Sequence, residues 1–319
     1  MAPPQADPLE SQPRSSRAQG QLRAREDEVT AFVLGGGGLL GAAEVGMLAA
    51  LIDRGIVPDL VIGTSIGAIN GAMLAKEPSG ATVASMAEIW SDLGSTGPFA
   101  ASMRKRFEAF TRSAGVAMYP TEQLEATLRA HLPERFEDLA VPFWCCAASI
   151  ERSAEVWFSS GDLVPAVMAS SALPGVFPPK QIGGEHFIDG GIVNSIPLDR
   201  ARKLGATRAF VLQVGRIEQS LKVPHRPWQV AQVAFEVARR ARFHAALTKT
   251  REFIDVYVLP TGGGVPEPTS WRTYDFRDTS RLRGRLQASR DAAAQYLELA
   301  DAGGVDPRAT PADDPVVGT

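Results

Sequence analysis

The chain has 319 residues, 45% of them hydrophobic, and a formal net charge of −3 at pH 7. This length suits one large α/β domain or two small ones, and the apolar content excludes a largely disordered chain. The slightly acidic balance argues against a nucleic-acid partner held by overall charge.

Both ends of the chain differ in composition from the rest. Residues 1–28 are rich in Pro, Gln, Ser, Arg and Glu, and residues 303–319 in Gly, Pro, Asp and Ala. We predict disordered tails in both segments and a single domain over residues 29–302. The first segment has no apolar run typical of a secretory signal, and no run of 18 apolar residues indicates a transmembrane helix.

The first half of the domain alternates strands with helices. Val29–Leu34 and Leu60–Gly63 are short apolar runs that predict buried strands. Ala42–Arg54 has an apolar face and ends before Gly55, and Ile66–Ala75 is rich in small residues, so both predict helices. This order is typical of the start of a parallel α/β sheet.

The alternation continues along the chain and predicts a three-layer α/β/α sandwich with a mostly parallel central sheet. The further predicted elements are helices at Ala81–Leu93 and Thr121–Leu132, a hairpin of Phe143–Ile150 and Glu155–Ser159, a helix at Asp162–Ala172, a strand at Glu185–Asp189, a helix at Ile196–Leu204, a strand at Ala209–Val214, a helix at Trp228–Arg251, a strand at Ile254–Leu259 and a helix at Thr279–Leu299.

Two stretches allow two interpretations each. Pro98–Met118 mixes apolar with basic residues, which indicates either ordinary amphipathic packing or a mobile cover that meets the bilayer interface. The late basic residues indicate either solvated helix faces or a patch that faces an anionic lipid surface. These are Arg239, Arg240, Arg242, Lys249, Arg251, Arg272, Arg277, Arg281, Arg283, Arg285 and Arg290.

The two cysteines, Cys145 and Cys146, are adjacent in the sequence. Neighbours on a strand point to opposite faces, so they are poorly placed to form a disulfide with each other. They also lack the spacing of a metal site. We therefore expect no metal, and a cytoplasmic, reducing location.

Ser65 lies in the pattern Gly63-Thr64-Ser65-Ile66-Gly67, between a predicted strand and a predicted helix. A Gly-x-Ser-x-Gly turn in that context is a nucleophile elbow, which exposes the serine hydroxyl. Glycine at both flanks relieves steric clashes in the tight turn. The pattern therefore predicts a serine nucleophile, and the alternative is a glycine-rich turn with a structural serine.

A serine hydroxyl needs a base to take its proton. Asp189 ends a predicted strand and is followed by Gly190-Gly191, which lets the chain turn and leaves the carboxylate uncovered. A carboxylate held near Ser65 can act as the base directly, although a turn-forming Asp is the alternative. None of the four histidines stands in a distinctive motif; they are His131, His186, His225 and His244.

The glycine run that precedes the first predicted helix completes a catalytic set. Gly36, Gly37 and Gly38 can bring backbone N–H groups close to the negative charge that develops during acyl transfer. The same glycines also satisfy the dinucleotide fingerprint. That fingerprint expects an acidic residue at the end of the second strand, and the chain has Gly63-Thr64-Ser65 there instead. An oxyanion hole is therefore the better interpretation.

Four blocks follow one another within residues 29–215. They are Gly36-x-Gly38-x-x-Gly41, Gly63-Thr64-Ser65-Ile66-Gly67, the proline-containing stretch Ser170–Pro179, and Asp189-Gly190-Gly191 with Asn194 and Pro197 behind it. In these blocks the chain resembles the patatin-like phospholipase family. The resemblance implies a patatin-like α/β/α sandwich that hydrolyses lipid acyl esters by a Ser-Asp dyad, without a catalytic histidine, metal or cofactor.

The resemblance assigns a role to each motif residue. It implies that Ser65 is the nucleophile, that Asp189 is the general base, and that the amides of Gly36 to Gly38 form the oxyanion hole. The residues that would support these motifs are Gly41, Gly63, Gly67, Gly190 and Gly191. The implied partner is a lipid or ester substrate, reached through peripheral membrane contact.

One position departs from the family pattern. The family usually has Arg or Lys before the last glycine of the loop, and this chain has Leu40. The change leaves the backbone donors intact but makes a neutral ester an alternative to a phospholipid substrate. The chain is also compatible with a weakly active or inactive lipid-binding relative of the family, and with a Ser65–Asp189 triad completed by His225 or His244.

Overall fold

The computed structural model describes residues 22, 27–96, 108, 111, 115–117, 119–215, 217, 220–262 and 280–309. Their strands are β1 (Thr30–Leu34), β2 (Leu60–Thr64), β3 (Phe143–Ser149), β4 (Ala154–Phe158), β5 (Lys180–Ile182), β6 (Glu185–Asp189), β7 (Arg208–Leu212) and β8 (Asp255–Leu259). Their helices are α1 (Gly41–Asp53), α2 (Ile66–Lys76), α3 (Gly80–Thr96), α4 (Glu122–His131), α5 (Leu163–Ser170), α6 (Gly191–Asn194), α7 (Leu198–Lys203), α8 (Pro227–Arg251) and α9 (Ser280–Asp301).

One mixed sheet organises these elements. The strand order is β5-β6-β3-β2-β1-β7-β8, and β4 also pairs with β3. Five neighbouring strands run parallel to one another, namely β3, β2, β1, β7 and β8. The strands β4, β5 and β6 run antiparallel to their neighbours. The predicted mostly parallel sheet is therefore confirmed.

Apolar side chains of alternate residues cover both faces of the sheet. Phe32 and Leu34 of β1 join a cluster formed with α1, α2, α3 and α9. Ala31 and Val33 of the same strand point to the other face, into a cluster formed with α7 and α8. Helices thus cover both faces of the sheet, and the predicted α/β/α sandwich is confirmed. Strands buried on both faces are expected to be apolar along nearly their whole length, as the central strands are here.

The order of the parallel strands determines where a site can form. Strand β1 lies between β2 and β7, so the strand order runs from β1 through β2 to β3 in one direction and through β7 to β8 in the other. A crevice forms at such a switch point, beyond the carboxyl ends of the strands. The glycine loop follows β1 and Ser65 follows β2, so both predicted motifs lie at this edge.

The chain end differs from the expected tail. Residues 303–309 belong to the described part and lie against β8, because the Val256 N–H donates to the Pro307 carbonyl at 3.1 Å and Arg308 Nε donates to Asp255 Oδ1 at 2.7 Å. At the other end, Leu22 is buried and its N–H donates to Asp301 Oδ1 at 3.1 Å. Asp27 and Glu28 are described too, and Glu28 pairs with Arg208 at 2.9 Å. The rest of both expected tails lies outside the described residues.

The strand β5 and the one-turn helix α6 were not predicted from the sequence. Both are short, and α6 directly follows Asp189, where Gly190-Gly191 indicated only a turn. Most of the Pro98–Met118 stretch lies outside the described residues, so its two interpretations remain open. None of the helices in the part of the chain that the structure describes combines the length and apolar character needed to cross a membrane.

Ion pairs account for several of the late basic residues. Arg239 and Arg240 both pair with Glu236, and their side chains are largely buried. Elsewhere Arg242 pairs with Glu155 at 2.8 Å, and Arg290 pairs with Asp53 at 2.7 Å. Arg272 and Arg277 lie outside the described residues. For the paired arginines the structure favours the structural interpretation over a free anionic-lipid patch.

Candidate active site

Ser65 occupies the sharp turn between β2 and α2. Its backbone has φ 57° and ψ −123°, and Ser153 is the only other non-glycine residue with positive φ in the described part of the chain. A side chain rarely adopts this conformation, and its cost is typical of functional turns. The predicted strand–turn–helix context of Ser65 is therefore present.

The flanking glycines are required by close backbone contacts. A Cβ at Gly63 would overlap the backbone of Gly67, and a Cβ at Gly67 would overlap the carbonyl of Leu34. Both positions thus need glycine for packing. The elbow pattern reflects how tightly α2 crosses the ends of β1 and β2.

Asp189 lies beside Ser65 at the end of β6. Ser65 Oγ donates a hydrogen bond to Asp189 Oδ2 at 2.5 Å, and the Gly191 N–H donates to Asp189 Oδ1 at 2.7 Å. The Asp189 residue is 2% exposed. Gly190 is tightly packed as well, because a Cβ there would overlap the carbonyl of Cys146. The structure therefore brings together the two residues that were predicted to react.

Burial dominates the acidity of this carboxyl group. It raises the pKa of Asp189 to about 6, while the hydrogen bonds from Ser65 and Gly191 oppose the rise. A carboxyl group with this pKa is mostly ionised at neutral pH and is a stronger base than an exposed aspartate. Its pKa suits a group that must accept a proton and later return it.

Two neighbouring serines hold the backbone of the elbow. The Ser65 N–H donates to Ser170 Oγ at 3.0 Å, and Ser170 Oγ donates to the Cys146 carbonyl at 2.6 Å. Ser171 Oγ donates to the Ser65 carbonyl at 3.0 Å. The sequence indicated these serines only as part of the Ser170–Pro179 block, without a role.

The glycine loop lies against Ser65, but its amides are not equivalent. The Gly36 N–H donates to the Ser195 carbonyl at 2.8 Å. Gly36 is therefore committed to a structural bond, contrary to its expected role as an oxyanion donor. Among the described residues, the N–H groups of Gly37 and Gly38 have no acceptor. The Ile66 N–H, in the first turn of α2, also has none among them.

The end of the loop is packed into the protein. Leu40 is 7% exposed and belongs to the main core, so the position that is usually basic in the family is an apolar core position in this chain. A Cβ at Gly41 would collide with Ile66 and would crowd the ring of Trp90. The predicted importance of Gly41 therefore comes from close contact with the nucleophile helix and α3.

A small cleft of about 110 Å³ is lined by two residues that bind the backbone of Ser65 and Asp189. Ser171 and Ala172 form one end of its lining, and the Ala172 carbonyl accepts the Asp189 N–H at 2.9 Å. The other lining residues are Thr121, Leu124, Met168, Phe177, Pro178, Pro179 and Lys180. The lining is mostly apolar, with Lys180 as its charged side chain.

The histidines make contacts away from the dyad. His131 Nδ1 bonds the Thr127 carbonyl, and His186 Nδ1 lies 2.7 Å from Glu151. His244 lies beside the ring of Phe243, and the His225 N–H donates to Gln229. In the described hydrogen bonds, the Asp189 carboxyl group is bound by Ser65 and Gly191 and by no histidine.

The fold and the serine–aspartate pair define an α/β protein with a nucleophile elbow. The family model of the patatin-like phospholipases matches residues 32–202, and the chain belongs to this family. That match spans the glycine loop, the elbow and Asp189. The resemblance on which the sequence interpretation depended is thus confirmed.

Curated relatives match more than half of the chain. A patatin-like phospholipase domain-containing protein of Caenorhabditis elegans, ZK370.4, is 36% identical over 192 residues, which are 59% of this chain and 14% of that protein. Patatin-like phospholipase domain-containing protein 7 of Mus musculus is 34% identical over 60% of this chain and 14% of its own length. Lysophospholipase nte1 of Aspergillus terreus is 32% identical over 59% and 12%. The match therefore covers only about a seventh of each relative.

Solved structures are similar at a lower level. VipD from Legionella pneumophila has a TM-score of 0.46 at 16% identity, over 89% of this chain and 71% of that chain. The type III effector protein ExoU has a TM-score of 0.40 at 14% identity, over 86% and 54%.

Proposed function

We propose that this protein is a serine acyl hydrolase that cleaves lipid carboxylic esters, with Ser65 as nucleophile and Asp189 as general base. The observation that carries the proposal is the 2.5 Å hydrogen bond from the strained Ser65 to the buried Asp189 carboxyl group. The catalytic domain proposed for this activity spans residues 29–302, which extends beyond the matched residues 32–202.

In the first half-reaction, Ser65 Oγ attacks the carbonyl carbon of the ester while its proton passes to Asp189 Oδ2. The carbonyl π bond becomes the lone pair of an oxyanion. When the tetrahedral intermediate collapses, the C–O bond to the alcohol breaks and protonated Asp189 returns its proton to the leaving oxygen. The product is an acyl ester of Ser65.

In the second half-reaction, water attacks the acyl carbon and gives a proton to Asp189. A second tetrahedral intermediate collapses, the proton returns to Ser65 Oγ, and the fatty acid leaves. One carboxyl group thus serves as base and as acid in turn. A pKa of about 6 supports this alternation, because the carboxyl group is mostly ionised at neutral pH yet accepts a proton more readily than an exposed aspartate.

The oxyanion hole is proposed to consist of the Gly37 and Gly38 amides, with the Ile66 amide at the start of α2. These N–H groups have no acceptor among the described residues, and the N-terminus of α2 adds a favourable dipole. Each well-placed donor contributes about 3–4 kcal/mol to the stability of the transition state. Gly36 is excluded from this set because it donates to Ser195.

The apolar cleft supports a fatty acyl substrate. Its volume of about 110 Å³ is below the ~150 Å³ of a cavity that holds benzene, so it fits only the first carbons of a chain. The A. terreus relative carries the name lysophospholipase, and a single-chain lipid ester is a substrate class compatible with such a cleft.

Two exposed apolar side chains support contact with a lipid surface. Ile192 follows Gly191 and is 49% exposed, and Phe235 of α8 is 40% exposed. A Cβ at Gly191 would lie 3.8 Å from the Phe235 ring, so Phe235 flanks the dyad. We propose that these side chains enter the interface when the protein binds a membrane peripherally.

The proposal is tested by measuring whether ester hydrolysis requires Ser65. We expect wild-type protein to hydrolyse p-nitrophenyl butyrate and to be labelled by a fluorophosphonate probe, and we expect Ser65→Ala and Asp189→Asn to lose hydrolysis. Ser153→Ala is a matched control, because Ser153 also has positive φ but is exposed and remote in sequence from the motifs. Full hydrolysis by Ser65→Ala would disprove the proposal.

The same assay distinguishes the proposed dyad from its competitors. An inactive lipid-binding relative would bind vesicles without hydrolysis or labelling of Ser65. A histidine-dependent triad would lose activity in His225→Ala or His244→Ala, whereas we expect both variants to stay active because Asp189 is bound by Ser65 and Gly191.

A further inference from the structure

A buried polar cluster lies under the glycine loop. It consists of Glu44 on α1, Asn70 on α2 and Trp90 on α3, and we call it the Glu44–Asn70–Trp90 cluster. Glu44 and Asn70 are completely buried, and Trp90 nearly so. A buried carboxyl group is costly unless it has a role that requires it. The proposed hydrolysis does not use Glu44 as an acid or base.

Asn70 is the centre of this cluster. Its Nδ2 donates to the Gly41 carbonyl at 3.0 Å and to Glu44 Oε2 at 2.8 Å. Its Oδ1 accepts a hydrogen bond from Trp90 Nε1 at 3.1 Å. The amide therefore uses both of its donor hydrogens and its acceptor, which fixes its orientation.

The cluster binds the glycine loop at the end that enters α1. Asn70 Nδ2 donates to the carbonyl of Gly41 there. At the other end of the loop, the Gly35 N–H donates to the Leu212 carbonyl at 3.0 Å, so β7 holds the point where the loop leaves β1. Asn70 also lies on the helix that begins directly after Ser65, so the cluster connects the loop to the nucleophile helix.

The side chains at the loop explain why such a connection matters. The Leu40 side chain is part of the core and cannot hydrogen-bond the loop, to which Leu40 contributes only its backbone N–H, which donates to the Gly37 carbonyl at 3.2 Å. Gly41 touches Ile66 and Trp90 so closely that a Cβ would overlap them. The distance between the loop amides and Ser65 therefore depends on how α1, α2 and α3 are held together at this point.

The carboxyl group of Glu44 is suited to a neutral role. Burial raises its pKa well above the usual range, and the interactions with Asn70 and the Gly35 backbone oppose this rise only in part. Its Oε1 atom has no hydrogen-bond partner among the residues that the structure describes. A neutral group of the same shape, such as glutamine, should therefore replace it with little loss.

We propose that Asn70, held by Glu44 and Trp90, is a positioning residue that sets the glycine loop at the right distance from Ser65. The inference rests on the proposed function. It goes beyond that function because it assigns catalytic consequence to a residue that touches neither the substrate nor the reacting atoms.

The first test is Asn70→Ala, with kcat and KM measured on p-nitrophenyl butyrate. A displacement of the loop by about 1 Å can lower a rate by about 100-fold. We expect kcat to fall by about that factor with little change in KM, because the cleft is untouched. The rate of fluorophosphonate labelling of Ser65 should fall in parallel.

The matched control is Leu74→Ala, one turn further along the same helix. Leu74 is completely buried and belongs to the core, so its truncation also lowers the melting temperature. We expect Leu74→Ala to keep kcat within about threefold of wild type, since it does not contact the loop. Equal losses of kcat in both variants at full folding would overturn the proposal.

Glu44→Gln and Glu44→Ala form the second pair. Gln preserves the acceptor for Asn70, so we expect it to retain most of kcat, whereas Ala should lose it. Trp90→Phe, which deletes one hydrogen bond and keeps an aromatic ring, replaces Asn70→Ala if that variant does not fold. Equal activity of Glu44→Gln and Glu44→Ala, whether high or low, would contradict the proposal.

Failure of this inference is distinguishable from failure of the proposed function. If wild-type protein shows no Ser65-dependent hydrolysis or labelling, the proposed function fails. If the wild type reacts and folded Asn70→Ala reacts equally fast, only the positioning role fails.

Discussion

The Oγ atom of Ser65 lies 2.5 Å from Oδ2 of Asp189, although the two residues are 124 positions apart in the chain. The second carboxyl oxygen of Asp189 accepts the Gly191 amide, which keeps the carboxylate aimed at the serine. This contact joins the end of β2 to the end of β6. It determines how activity and stability should depend on pH, and what Asp189→Asn should change.

The activity should depend on the ionisation of Asp189. Its pKa of about 6 means that the base is increasingly protonated below that pH. We expect kcat/KM for a neutral ester to fall about tenfold per pH unit below pH 6 and to level off above pH 7. A pH profile from pH 4.5 to 8.5 measures this. A profile that still rises steeply between pH 7 and 8 would point to a different base.

Asp189 should also make the protein less stable as the pH rises. The folded protein holds its proton up to about pH 6, whereas the unfolded chain releases it near 3.8. The folded state thus binds more protons between these values, so its stability is highest below 3.8 and is lost as pH rises through 6. The loss is about 3 kcal/mol for a shift of this size.

Asp189→Asn removes this dependence while nearly preserving the shape. We expect the variant to gain stability relative to wild type as the pH rises from 4 to about 6, and the difference to stay constant above 7. Urea unfolding of both proteins at several pH values measures the difference, in which other titrating groups cancel. A difference that does not change with pH would refute the assigned burial effect.

Substitution by alanine should have different effects at Gly37 and at Gly38, the two loop positions with free amides. A Cβ at Gly37 would overlap the Val214 side chain, so Gly37→Ala should displace the loop and lower kcat by about 100-fold. Gly38 has φ 58° but open space around its Cβ position, so Gly38→Ala should cost only about 1–2 kcal/mol of stability. Steady-state kinetics and thermal melts of both variants separate the effects.

Restoring the basic residue of the family should not restore phospholipid preference. Leu40 is buried in the core, and Leu40→Arg would bury a cation there. We expect a loss of several kcal/mol in stability and no gain in activity on phospholipid over neutral ester. Leu40→Met, which keeps the apolar volume, is the control. Higher phospholipid selectivity in a stable Leu40→Arg protein would contradict the structural reason.

The exposed side chains Ile192 and Phe235 should matter only at a lipid surface. We expect Phe235→Asp and Ile192→Asp to weaken sedimentation with phosphatidylcholine vesicles and to slow hydrolysis of vesicle lipid. Hydrolysis of a water-soluble short ester should change little, because these apolar side chains supply neither a proton nor a hydrogen bond to Ser65 and Asp189. Val223→Asp is a control, since Val223 is exposed outside the helices. Equal vesicle binding by all three variants would count against the interface.

Local requirements made much of the fold predictable. The strand β2, the elbow and helix α2 follow from Gly63-x-Ser65-x-Gly67. The positive φ of Ser65 and the close contact between Gly63 and Gly67 both act within a few residues. Apolar runs and helical periodicity predicted most other elements to within a few positions. The short elements β5 and α6 were not predicted, because three or four residues are too few to show a hydrophobic periodicity.

The amino-acid sequence by itself thus determined the order of most strands and helices and the serine turn, and it singled out Ser65 and Asp189 as the two residues proposed to react. Only the tertiary structure decided how the backbone donors are used. Gly36, Gly37 and Gly38 are chemically identical, and the Ser195 carbonyl engages the first of them. Likewise, only packing made Leu40 a core residue and brought Asn70 against Gly41 and Glu44. Steric preferences are local, whereas hydrogen-bond partners and burial depend on segments that meet only when the chain has folded.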